Sequence, residues 1–77
     1  RTLFRVARMK LARIVKWDNC PWRLNDGGAI NPPIGTIVQY EYDGKRVDVY
    51  FPGCVVGSSM NMKAFNVYFE DLTDANS

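Results

Sequence analysis

The sequence predicts a small all-β domain, and three observations carry that prediction. Asp43-Gly44 is a turn signal lying between two runs of alternating apolar and polar residues. The remaining apolar runs are short and separated by Gly- and Pro-rich connections. No segment offers a convincing amphipathic helix at a period near 3.6 residues.

The central hairpin comes first because it sets a register. A two-residue type I′ turn at Asp43-Gly44 pairs Tyr42 with Lys45, Glu41 with Arg46, Tyr40 with Val47, Gln39 with Asp48 and Val38 with Val49. One face is then mostly apolar and the other carries Glu41 opposite Arg46, as a half-buried antiparallel pair requires. Pro52-Gly53 ends the second strand.

Upstream, residues 10–17 alternate well enough for a first strand, with Ala12 and Ile14 against Leu11, Arg13 and Val15. Residues 18–35 are expected to be one long loop, interrupted by Pro21, Gly27-Gly28 and Pro32-Pro33. Downstream, residues 54–64 read as a second irregular stretch with a flexible tip at Gly57-Ser58-Ser59. Residues 65–69 then read as a fourth strand, Phe65, Val67 and Phe69 inward and Asn66 and Tyr68 outward. Glu70-Asp71-Leu72 makes a closing turn. Four or five short strands in 77 residues suggest a partly open small β-barrel of the SH3-like kind, with an oligonucleotide-binding type barrel as the runner-up. The organisation is a basic N-terminal arm at residues 1–9, the barrel at 10–72 and a polar tail at 73–77.

A chain of this length buries a modest core and keeps roughly 5 kcal/mol or less of net stability, so a large enclosed active site is not expected. The chain has no His, its Ser residues lie in loop or tail contexts, and Asp18, Asp26 and Glu70-Asp71 read as solvated turn carboxylates. Gly27-Gly28 leads to Pro32-Pro33 and not into a helix, unlike a phosphate cradle. Cys20 and Cys54 are too far apart for a CxxC pair. Free, partly buried thiols are expected, with a single disulfide as the alternative. The expectation is therefore a non-enzymatic protein with no cofactor and no metal. No apolar run approaches the roughly 18 residues of a membrane span. The chain opens at Arg1 rather than Met, which suggests a processed or trimmed product in which any targeting segment would already have been removed.

Net charge is +2, but residues 1–25 hold seven Lys or Arg against the single Asp18, and the remainder holds three against seven Asp or Glu. Such a dipole suits docking to an acidic protein surface, RNA or anionic lipid. The arm adds Leu3, Phe4, Val6 and Met9, more apolar surface than a solvated tail needs. Trp17, Trp22 and Tyr50 with Arg13, Lys16 and Arg23 are also the residue types that stack bases and neutralise phosphates. The candidate partner-binding set is Arg5, Arg8, Arg13, Lys16, Trp22, Arg23 and Arg46.

Arg13-Ile14-Val15, Trp22, Asn25-Asp26, Gly35-Thr36-Ile37-Val38, Val47, Val49, Phe51, Asn61, Phe65 and Glu70-Asp71-Leu72 together resemble the SH3-like peripheral stromal subunit of photosystem I, the PsaE type. The likeness spans most of residues 11–72 through short motifs. It departs at the inserted residues 27–34, after Phe51, before Glu70, and at Tyr50, where that family commonly carries a basic residue. The resemblance implies an accessory subunit that helps dock ferredoxin, an acidic electron carrier, at the stromal side of the thylakoid in the chloroplast. Arg13, Lys16, Arg23 or Arg46 would then supply the missing cation. A shorter likeness, through Trp17 or Trp22, Asp26-Gly27-Gly28 and Gly35-Thr36-Ile37-Val38, is to the Mib/HERC class of SH3-like domains. The functional expectation is an accessory or docking subunit of a larger assembly, with other protein subunits as partners. A small RNA- or DNA-binding barrel and an SH3-like adaptor module are the alternatives.

Overall fold

A computed structural model describes residues 9–72. The elements are β1 (Lys10–Ile14), β2 (Trp22–Arg23), β3 (Ala29–Ile30), β4 (Ile37–Tyr42), β5 (Val47–Tyr50), β6 (Ser58–Met60), α1 (Met62–Tyr68) and β7 (Phe69–Asp71). Five strands form one antiparallel sheet in the order β6-β5-β4-β1-β7, and β2 and β3 make a separate small hairpin. The small all-β class expected from the sequence is thus present, with β6 and β7 at opposite ends of the strand order. Residues 1–8 of the N-terminal arm, including Arg5 and Arg8, and the tail at 73–77 lie outside the described residues.

Alternation sorts the sheet as the sequence predicts. Ala12 and Ile14 on β1, Val38 and Tyr40 on β4, and Val47 and Val49 on β5 point into the core, where Phe51, Phe65 and Phe69 join them. Leu11, Arg13, Ile37 and Gln39 face outward on the same strands. β4 is held on both sides, by β1 through Ala12↔Val38 and by β5 through Tyr40↔Val49.

That last pair corrects the hairpin register by two residues. Tyr42 lies opposite Val47, Glu41 opposite Asp48 and Gln39 opposite Tyr50. The turn centres on Gly44-Lys45, closed by the Asp43 N–H donating to the Arg46 carbonyl at 3.2 Å. Gly44 has φ +97° whereas Lys45 keeps an ordinary φ, which is the pattern of a type II′ turn and not type I′. Asp43 decides the shift: its carboxylate accepts from the Lys45 and Arg46 amides at 2.9 and 2.8 Å. A slip of two residues preserves side-chain parity, so the buried face survives the correction. Its cost falls outside, where Glu41 faces Asp48 instead of Arg46. The Ser59 hydroxyl donates to Asp48 at 2.6 Å on that face.

The segment after Phe51 differs most from expectation. Residues 58–60 form edge strand β6, and residues 62–68, expected to be irregular up to 64 and a strand from 65, form a helix. Asn61 caps it by accepting from the Ala64 amide at 2.7 Å. Phe65 and Phe69 satisfy a spacing of four as well as an alternation of two, so both remain inward in either conformation. Val67 separates the two readings: in the helix it turns outward and is 44% exposed. Gly57 is buried beneath Tyr50, where an added Cβ would lie 2.9 Å from its ring and 3.0 Å from the Val49 carbonyl oxygen. The expected flexible tip is in fact a close crossing.

The long first loop also carries structure. Trp22 pairs with Ile30 and Arg23 with Ala29, and the connecting turn is tightened by Gly28 N–H donating to Asp26 at 2.8 Å. β6 holds this hairpin against the sheet: Ser58 Oγ donates to the Arg23 carbonyl at 2.7 Å, and Asn25 N–H donates to the Gly57 carbonyl at 2.8 Å. Cys20 and Cys54 are free thiols, the former exposed and the latter half-buried.

Val47→Asp or Val49→Asp should each destabilise the domain by on the order of 3 kcal/mol, because both sites are fully enclosed and offer a carboxylate no partner. Urea melts measure this, and a wild-type midpoint in either variant would contradict the buried face. The turn makes a separate, pH-dependent prediction. The Arg46 and Lys45 amides hold the Asp43 carboxyl below its ordinary value. A lowered folded-state value contributes stability that is complete above the unfolded value of about 3.9 and is lost as pH falls through the folded one. Asp43→Asn should therefore flatten the acid limb of the stability curve, as read from thermal melts at stepped pH.

Candidate functional site

The candidate site is built where the chain leaves β1 and where α1 ends. The Val15 N–H donates to the Tyr68 carbonyl at 2.8 Å, which brings residues 15–21 alongside the C-terminal end of the helix. Asn19 then takes φ +66°, a left-handed conformation that Asn tolerates well, and reverses the chain. The Trp17 indole N–H closes this reversal by donating to the Cys20 carbonyl at 3.2 Å. Pro21 leads directly into β2 and Trp22.

These segments enclose a pocket of about 270 Å³ lined by Trp17, Asp18, Cys20, Pro21, Trp22 and Tyr68. Its base is Trp22, whose ring lies 5.8 Å from Phe51 and 5.1 Å from Phe69, so one wall is continuous with the core. Tyr68 stands perpendicular to Trp22, at 5.2 Å and 87°. Trp17 is 40% exposed and makes no ring contact among the described residues, so it stands apart from the Trp22–Tyr68 edge-to-face pair. The Tyr68 hydroxyl donates to the Asp18 carboxylate. This hydrogen bond, then burial, then the Asp18 charge raise the Tyr68 pKa above its ordinary value. The arrangement offers aromatic faces, one proline, one thiol and one carboxylate. It suits an apolar or cationic group better than an anion.

Among the described residues, the partner-binding set expected from sequence (Arg13, Lys16, Trp22, Arg23 and Arg46) does not converge. Trp22 is in the pocket, but as its half-buried base. Arg13 faces Glu70 across β1 and β7 and pairs with it at 2.5 Å, its charge matched locally on the surface. Lys16 and Arg23 are exposed and flank Trp17 and Trp22 in sequence without lining the pocket. Arg46 belongs to a different groove, shared with Asn25, Lys45, Ser59, Met60 and Asn61. A wider groove along the central hairpin is lined by Lys10, Glu41, Tyr42, Asp43 and Asp48, and offers one ring where the first pocket has three.

Sequence reasoning missed Tyr68 as a site residue, placing it on the outer face of a strand, and took Asp18 for a solvated turn carboxylate. The paired signal Trp17…Pro21-Trp22 was present, but nothing in the sequence joins it to a tyrosine some fifty positions away. Comparison of the chain with models of known protein families, with curated proteins and with solved structures found no match.

The Trp22 indole N–H is buried without a hydrogen-bond partner among the described residues, a burden of about 1–3 kcal/mol. Trp22→Phe removes that donor while keeping a ring against Phe51 and Phe69. It should cost less than about 1 kcal/mol, whereas Trp22→Ala should cost about 3 kcal/mol through the void it leaves. Chemical denaturation of both variants checks the difference, and equal losses would contradict it.

Proposed function

We propose that this domain is a non-enzymatic protein-docking module, an accessory unit of a larger assembly that engages its partner through the pocket of Trp17, Pro21, Trp22 and Tyr68. The observation that carries this reading is the exposed ring of Trp17, fixed by its own indole hydrogen bond in a place where the core does not use it. Large, preorganised aromatic rings beside a proline provide contact area at low entropic cost, the usual makeup of an interface anchor. The resemblance to the peripheral stromal subunit of photosystem I supports the accessory-subunit form of this proposal, with an acidic electron carrier among its partners. The basic N-terminal arm would add charge to such a contact.

A nucleic-acid interface is less well supported by the arrangement of charge. Arg13 is matched by Glu70, Arg46 belongs to another groove, and Trp22 is packed on the core, so among the described residues no stacking platform lies along a continuous basic track.

Trp17→Ala should leave the melting temperature near that of wild type while abolishing recovery of the native complex with the tagged chain, as mass spectrometry would show. Retention of the complex would count against the pocket as the docking element. Binding to single-stranded RNA should be weak at physiological salt. Tight binding with a steep salt dependence would instead favour the nucleic-acid reading.

A further inference from the structure

The pocket's chemistry is more specific than an apolar docking cleft. Its rings come from three separated places in the chain, Trp17, Trp22 and Tyr68, and two of them stand at 87° to one another. Aromatic faces carry negative quadrupole charge and attract cations within about 6 Å of a ring centre. The charged side chain lining the space is the Asp18 carboxylate, and neither Lys16 nor Arg23 contributes to the wall. Both features favour the same sign of guest.

The shortage of hydrogen-bond acceptors narrows the class. A plain lysine ammonium brings three donors and an arginine guanidinium five, all of which need partners once removed from water. The side chains lining this pocket offer one carboxylate, whose Oδ2 already accepts from the Tyr68 hydroxyl and whose Oδ1 alone remains for several donors, besides one thiol and apolar walls. A methylated ammonium has its donors replaced by methyl groups, keeps its charge and gains apolar surface against the rings. Resting on the docking reading above, we propose that this pocket receives a methylated lysine side chain of a partner protein, held by Trp17, Trp22 and Tyr68 with Asp18 as its counter-charge.

The preorganisation needed for such a site is in place. The Trp17 indole is tied to Cys20, Tyr68 is tied to Asp18, and Trp22 is wedged against Phe51 and Phe69. Little of the binding energy would go into ordering the walls.

The test is a titration of the full chain with blocked trimethyl-lysine, its neutral carbon isostere bearing a tert-butyl group, and blocked unmodified lysine, followed through the Trp17 and Trp22 indole N–H resonances. The expected result is saturable binding of trimethyl-lysine, with the isostere weaker by about tenfold or more. Asp18→Asn still accepts from Tyr68 but removes the charge, and should weaken trimethyl-lysine several-fold without changing isostere binding. Equal binding of the isostere, equal binding of unmodified lysine, or no indole shift at the highest soluble concentration would each overturn the proposal. A proline-rich peptide that shifts the same indoles when trimethyl-lysine does not would overturn it while leaving the docking reading standing. Unchanged recovery of the native complex by Trp17→Ala would count against the docking reading instead.

Discussion

Phe69 is the residue on which the rest of the arrangement depends. It lies at the junction of α1 and β7, its ring stacked on Phe65 at 5.1 Å and 12°, 5.1 Å from Trp22 and 6.4 Å from Phe51. Through Phe65 the cluster reaches Tyr40 on the central strand at 4.6 Å. In a domain this small, a few large rings supply most of the apolar burial that offsets chain entropy. The same cluster therefore holds the helix to the sheet and fixes the orientation of Trp22.

The candidate site is an outward extension of that cluster. Trp22 and Tyr68 both pack against the core and both line the pocket, so these walls are backed by the interior. Trp17 differs in kind, because it is held by a turn and one indole hydrogen bond and contributes little to the interior. On the docking reading proposed above, this division would separate stability from recognition: changes at Trp22 would act on both, while changes at Trp17 and Asp18 would act mainly on the pocket. The ties from β6 to the small hairpin, through Ser58 and Asn25, complete the support by fixing where β2 lies.

The departures from expectation share one physical cause. Local pattern determines the face a side chain takes but is often degenerate in conformation. The central hairpin could slip by two residues without exposing Val47 or Val49, and the choice fell to the Asp43 carboxylate and two backbone amides. Phe65 and Phe69 are compatible with both a strand and a helix, and a helix of seven residues is too short to be specified by its own propensity. The Asn61 cap and the packing of both rings on the core selected it. Gly57 and Ser58 look like a flexible tip in sequence because small polar residues often are, yet here small size is what lets the chain pass beneath Tyr50.

The sequence by itself determined the all-β class, the inward faces of β1, β4 and β5, and the location of a turn near Gly44, because alternation and glycine geometry are local properties. It also marked Trp17 and Trp22 as aromatic residues in search of a use. Only the tertiary structure decided which of them closes the core and which stays open to solvent, and only it placed Tyr68 beside Asp18. Those outcomes depend on contacts between residues some fifty positions apart, formed when the helix end docks against the loop after β1. No local pattern encodes that meeting, since it follows from the joint packing of Phe65, Phe69 and Trp22 in one limited core.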